Sequence, residues 1–326
     1  MDDTVPAAPA KRSRLAWVFV GDDGLRAGWS LILFILFVIA LSFGLVWLLH
    51  ALHPGKLGLG AGMKPGTAIL QEALSLLVVG LAALIMSLIE RRRFWRYNLQ
   101  SPSVLADFGK GLAAGLAMLS VLIGLLLLTG GIAFHGLAIG GGAIVTFGIE
   151  WLVAFLLVGL FEEFAFRGYL QFTLARGVAG IARWLGRDTP KAPTIGFWVA
   201  GVVLSIVLFA VAHTSNGGET AMGIIAVSLA GFVFLFSLWW TGSLWWAIGF
   251  HTAWDWAQSY LYGVADSGLV SEGHLLASEP TGTALISGGT TGPEGSVLVV
   301  PVLLVTLAVI WRTMPRRRPP ILDGEA

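Results

Sequence analysis

Apolar runs of about twenty residues recur along this chain, and that recurrence limits its fold more than any other feature. A helix needs about 20 apolar residues to cross a hydrocarbon core, rising about 1.5 Å per residue. Such runs lie near 28–50, 67–89, 109–131, 149–171, 195–213, 221–240, 243–262 and 296–312. With 56% hydrophobic and 12% charged residues, and a mean hydropathy of +0.82, the chain has too little polar surface for a soluble domain of 326 residues. The expected fold class is therefore all-α: a polytopic integral membrane protein of about eight transmembrane helices, with the lipid bilayer as its main partner.

The charges outside these runs give the expected topology. Lys11, Arg12, Arg14 and Arg26 precede the first run, and Arg91, Arg92, Arg93 and Arg96 follow the second. Arg176, Arg183, Arg187 and Lys191 follow the fourth, and Arg312, Arg316, Arg317 and Arg318 the eighth. The connections 132–148 and 263–295 contain neither Lys nor Arg. Eight spans put all four clusters on one side, which the positive-inside rule assigns to the cytoplasm. The expectation is a multi-pass protein of the cell's inner (plasma) membrane with both termini cytoplasmic.

Its parts are a cytoplasmic segment 1–27, a single transmembrane domain 28–312 with a motif-bearing core at about 149–262, and a basic tail 313–326. The acidic start Met1-Asp2-Asp3, Pro6, Pro9 and the length of the first run read as a retained signal anchor. Trp29, Trp47, Trp151, Trp239, Trp240 and Trp311 fall at run ends, as an interfacial belt requires. The gap Thr241-Gly242 predicts a tight hairpin. The basic segment 172–194, with Ile181, Trp184 and Leu185, is expected along the inner membrane surface. The Gly/Ser/Thr-rich segment 263–295 is expected as a flexible outer loop.

The net charge of +1 favours no nucleic-acid partner. The absence of cysteine excludes disulfides, thiolate catalysis and Cys-ligated metals.

Three constellations of ionisable residues remain inside the runs: Glu162-Glu163 with Arg167, Phe209 with His213, and His251 with Asp255. Glu162, Glu163 and Arg167 in isolation would cost roughly 8–10 kcal/mol at the bilayer centre, comparable to the stability of a whole fold. They must therefore pair or line a water-filled intramembrane cavity. Glu163 and Arg167 are four residues apart and share a helical face, so they can form a charge-assisted pair. Glu162 is rotated by about 100° and is left to face something else. His251 and Asp255 share a face by the same spacing.

Two chemistries suit these residues. Glu162, His213 and His251 could bind zinc with a fourth position open for water. Alternatively, Glu162 acts as a general base on water without metal, while the histidines and Asp255 polarise a carbonyl and stabilise its oxyanion. The chain has no His-Glu-x-x-His motif, which weakens the metal route, so no cofactor is the preferred expectation. Both routes hydrolyse a peptide bond in the membrane.

Glu162-Glu163-x-x-x-Arg167, Phe209-x-x-x-His213 and His251-x-x-x-Asp255 resemble the successive motifs of the CPBP family. These are intramembrane glutamic endopeptidases, also called type II CAAX proteases or the Abi family. The resemblance covers roughly 150–260. It implies that Glu162 activates water with His213, that Glu163 and Arg167 hold the arrangement, and that His251 and Asp255 form the oxyanion site. It also implies a metal-independent mechanism on a membrane-associated or prenylated peptide or protein. One departure is Asp255, where eukaryotic-type CAAX proteases carry Asn. An ionised Asp repels an oxyanion, so Asp255 must be protonated or must instead orient His251.

Two other function classes use the same residues. A non-catalytic immunity or regulatory protein could keep the scaffold, although the intact motif set argues against it. A proton-coupled transporter could use intramembrane Glu, Arg and His as a relay, but no internal repeat supports it.

Overall fold

The computed structural model describes residues 18–21, 24–52, 63–186, 190–214, 218 and 220–322. Lys11, Arg12, Arg14 and Arg187, the acidic start with Pro6 and Pro9, and the last residues of the basic tail lie outside the described residues. Six helices among those described are long and apolar enough to cross a membrane. They are α1 (Ala27–Leu52), α2 (Pro65–Ile89), α3 (Val104–Leu128), α4 (Gly142–Trp184), α5 (Ala192–His213) and α6 (Ala221–Thr241). The all-α polytopic expectation holds.

Two shorter helices follow where the seventh and eighth spans were expected. The first, α7, is Trp245–Trp256 and continues as a π-helical turn, Ala257–Leu261. The second, α8, is Val299–Thr313. Fifteen residues rise only about 22 Å, less than the bilayer core. The shortness of α7 has a reason in packing. Every residue from Trp246 to Asp255 is buried, so its length is matched to protein rather than to lipid.

Small residues place α7. A Cβ on Gly111 or Gly115 of α3 would strike the carbonyls of Trp246 and Phe250, and one on Gly249 would strike that of Phe108. The two backbones touch, as small-xxx-small spacing allows between membrane helices. The expected hairpin is realised when Gly242, at φ +75°, ends α6 in the left-handed conformation that favours glycine.

Contacts sort the connections into two ends. At one end Arg176 of α4 pairs with Glu90 after α2 at 3.1 Å, and Arg317 after α8 pairs with Asp107 of α3 at 2.7 Å. Arg316 donates to the Trp239 carbonyl at the close of α6. A short hairpin of β1 (Val20–Gly21) with β2 (Gly24–Leu25) precedes α1. At the other end of the molecule strand β3 (Ile132–Leu137) pairs antiparallel with β4 (Leu276–Pro280), and Met63 before α2 bridges to Ser271. The described basic residues of the clusters after α2, α4 and α8 thus share an end, as an even number of crossings requires.

Three expectations need correction. Residues 172–184 are not a loop, because α4 continues through a π-helical stretch at Phe164–Leu170 to Trp184; its 43 residues rise about 64 Å, about twice the bilayer core. Ile181, Trp184 and Leu185 are exposed there. The segment 263–295 is not a free loop: it contributes β4, a helical turn at Ala284–Ser287 and a 3-10 turn at Pro293–Gly295. Trp151 belongs to no interfacial belt. It is fully buried, and its indole donates to the Glu272 carbonyl at 2.8 Å.

Candidate active site

Each motif adjoins a π-helical stretch. Phe164–Leu170 interrupts α4 immediately after Glu162-Glu163, Val202–Leu208 interrupts α5 before Phe209, and Ala257–Leu261 follows Asp255. Such stretches shift the angular phase of a helix and are frequent at functional sites.

The glutamate pair divides its labour as helical geometry requires. Glu163 and Arg167 are both fully buried, with Arg167 Nη1 2.7 Å from Glu163 Oε1. Arg167 Nε donates to Ser205 Oγ of α5 at 3.0 Å. Its guanidinium carbon lies 4.3 Å from the Phe209 ring centroid and 5.1 Å from that of Phe234. These ring faces compensate Nη2, which has no hydrogen-bond partner. Gly231 of α6 makes the arrangement possible, because a Cβ there would strike the Ser205 carbonyl.

His251 occupies the centre. Its Nδ1 lies 3.2 Å from Glu163 Oε1, and its Nε2 lies 3.4 Å from Asp255 Oδ2 and 3.8 Å from Glu162 Oε2. Phe234 stacks on the ring at 5.2 Å between centroids. With carboxylate oxygens at both nitrogens, the ring donates in both directions only as an imidazolium. Two cations, Arg167 and His251, thus stand among three carboxyl groups, Glu162, Glu163 and Asp255. Glu162 Oε2 has no hydrogen-bond partner.

His213 is held differently. It closes α5, and its Nδ1 is 2.8 Å from the Phe209 carbonyl. A carbonyl only accepts, so Nδ1 carries the proton and Nε2 is left as an acceptor. Phe209 also packs on the His213 ring at 4.6 Å, so this aromatic links the guanidinium to the imidazole. The depth of His213 is resolved by where the chain goes next. The helix spans its full 22 residues, and beyond it Gly218 meets Thr290 and Thr291, which donate to its carbonyl. His213 therefore sits towards the β3–β4 end.

Glu162, His213, His251 and Asp255 line one cavity of about 300 Å³, together with Phe209. Glu163 and Arg167 lie buried behind that lining, in contact with His251 and Phe209. The structure adds residues that sequence reasoning missed: Glu72, Asp266, Glu294 and Phe234 also line the cavity. Glu294 accepts from the Trp254 indole at 3.2 Å and from the Ser267 backbone, and Asp266 accepts from Ser259 Oγ at 3.0 Å. Asn98 Nδ2 donates to the Arg167 carbonyl at 2.6 Å. The desolvation argument that singled out Glu162 applies equally to Glu72, which lies in the second apolar run. Among the described residues no group of three His, Asp or Glu side chains has metal-holding geometry.

Fold and site together define a multi-pass membrane protein with a buried carboxylate–histidine centre. Residues 144–257 match the family model described as type II CAAX prenyl endopeptidase Rce1-like. Over that segment, which contains every motif residue from Glu162 to Asp255, the chain is similar to CAAX-protease-type membrane proteins, and the resemblance carried by its motifs is borne out there. No curated protein and no solved structure matches the chain.

Proposed function

We propose that the chain is an intramembrane endopeptidase that hydrolyses a peptide bond of a membrane-associated or prenylated peptide with a water activated by Glu162. The observation that carries this reading is the division of the glutamates. Glu163 Oε1 is shared by Arg167 and His251 behind the cavity lining, whereas Glu162 lines the cavity and its nearest cation, His251 Nε2, lies 3.8 Å from Oε2.

Glu162 takes one proton from water as the oxygen adds to the carbonyl carbon. His213, through its accepting Nε2, orients the water. The developing oxyanion is met by His251 and by Asp255 in its protonated form. Collapse of the tetrahedral species breaks the C–N bond, and Glu162 returns its proton to the departing amine. Each proton is accounted for without a metal, so chelation leaves the rate unchanged.

The test is catalytic. Glu162→Gln abolishes cleavage while expression and thermal unfolding stay as in the parent protein, and retained activity in that variant refutes the mechanism. The same reading places the site in a single transmembrane domain, 28–312, of a plasma-membrane protein with cytoplasmic termini.

A further inference from the structure

A second cavity, of about 480 Å³, lies at the basic end, apart from the candidate active site. It opens where α3 begins and where α6 turns into α7, the level at which spans meet the polar layer of a bilayer. Trp95, Val104 and Trp245 give it apolar walls, Gln100 an amide, and Arg317 and Arg318 its cations.

These arginines are not carried on a loose tail. The Arg317 N–H donates to the Trp240 carbonyl at 2.9 Å, and its guanidinium donates to Asp107 Oδ2 at 2.7 Å and to Ser103 Oγ at 2.8 Å. The Arg318 carbonyl packs on Gly242, where a Cβ would come within 2.6 Å of it. Pro320 and Ile321 are buried just beyond. With the backbone held on both sides, Arg318 is placed without the ordering cost of a flexible basic segment.

The charges here do not cancel among the described residues. Two carboxylates stand at this end, and both are taken: Asp107 by Arg317, Ser101 and Ser103, and Glu90 by Arg176 and Tyr97. Arg316 and Arg318 are left without a carboxylate among those residues. Arg316 lies instead 4.8 Å from the Trp239 ring centroid and 5.0 Å from that of Trp240. Burial, and then the like charge of Arg318, hold its guanidinium below the ordinary value.

We propose that this cavity binds the phosphate of an anionic phospholipid, with Arg318 as its main cation and Gln100 and Trp95 as neutral donors. The source is a lipid rather than a free anion because apolar surface adjoins the charge. Trp95 is 61% exposed, and Leu105, in the first turn of α3, is 85% exposed, so acyl chains find cover beside the paired headgroup. A basic pocket between helix ends at headgroup depth suits an anionic lipid. The proposal is independent of the endopeptidase reading and of the leaflet that the basic end meets.

The full chain, purified in neutral detergent and stripped of lipid, is given phosphatidylglycerol, phosphatidylcholine or inorganic phosphate, and binding is read by native mass spectrometry. Phosphatidylglycerol is retained about fivefold more tightly than phosphatidylcholine, and excess inorganic phosphate does not displace it. Arg318→Gln lowers that affinity about fivefold, the effect of one arginine near an anionic surface, and Arg316→Gln/Arg318→Gln lowers it further. Arg183→Gln, outside the cavity lining, leaves it unchanged. Arg318 is exposed, so its variant without lipid unfolds at the parent's temperature, and phosphatidylglycerol raises that temperature more in the parent than in the variant.

Equal losses in Arg183→Gln and Arg318→Gln would indicate a diffuse basic surface and overturn the site. Displacement by inorganic phosphate overturns the lipid source. Asp323 and Glu325, which lie outside the described residues, are the chain's own rival occupants. Binding that emerges only in Asp323→Asn/Glu325→Gln therefore overturns the proposal too.

Discussion

His251 and Arg167 meet on a single oxygen: Glu163 Oε1 lies 3.2 Å from His251 Nδ1 and 2.7 Å from Arg167 Nη1. One carboxylate from the first motif therefore fixes both the arginine of its own helix and the histidine of the third. Glu163 is the joint between α4 and α7, and its own reactivity is spent in that role.

Removing one member of a fully buried ion pair leaves the other uncompensated, which costs about 3–5 kcal/mol. Arg167→Met should destabilise the protein by that order, and the double variant Glu163→Met/Arg167→Met should recover part of the loss. Thermal unfolding in detergent checks both. Equal stability of Arg167→Met and the parent would mean that the pair is not held as described.

Ser205→Ala removes the acceptor for Arg167 Nε and should lower stability by about 1.5–3 kcal/mol, the range for a hydrogen bond to a charged group. Gly231→Ala forces a methyl group against the Ser205 carbonyl and should do greater harm. The ranking of the two unfolding temperatures is the readout.

Asp255 separates two roles. If it donates a proton to the oxyanion, Asn supplies an amide N–H in its place and Ala supplies nothing. Asp255→Asn should then keep kcat within about tenfold, while Asp255→Ala should lose about 10²–10³, the usual effect of an oxyanion donor. Equal inactivity of the two variants would show that the carboxylate itself is needed to orient His251.

Asp266 lies beyond the π turn of α7, outside the spans. Burial, reinforced by the charges of Asp255 and Glu294, pushes its carboxyl well above the ordinary range, against smaller lowering effects of Ser259 and His251. The folded protein therefore holds a proton there that the unfolded chain has released. Between the unfolded and folded values stability falls as pH rises. Asp266→Asn removes the titration, so its unfolding temperature should depend less on pH across that window. An unchanged pH profile contradicts this account.

Sequence reasoning read the motif residues because desolvation leaves charges in an apolar run few alternatives. Six of the eight expected spans became membrane-length helices for the same reason. Residues whose part depends on neighbours distant in the chain were less legible. Ser205 and Phe234 are ordinary in an apolar helix, and only the approach of α4, α5 and α6 around Arg167 gives them work. Asp266 and Glu294 sat in a Gly-rich stretch whose composition resembles an open linker, yet that stretch is ordered by β3 and by the Trp254 indole. The length of α4 was hidden because basic residues at 176 and 183 look like the end of a span, although nothing about them ends a helix.

The β3–β4 ladder has a consequence for how the protein is made. It joins Ile132 to Pro280, so the ribosome must finish everything between them before the ladder can form. At about 5–20 residues per second that interval lasts on the order of ten seconds. Closing so long a loop is entropically late in any case. The centre therefore matures only after its last acidic contributor, Glu294, has been added to the chain, and a nascent chain halted before that point carries all its motif residues without the enclosure that brings them to bear.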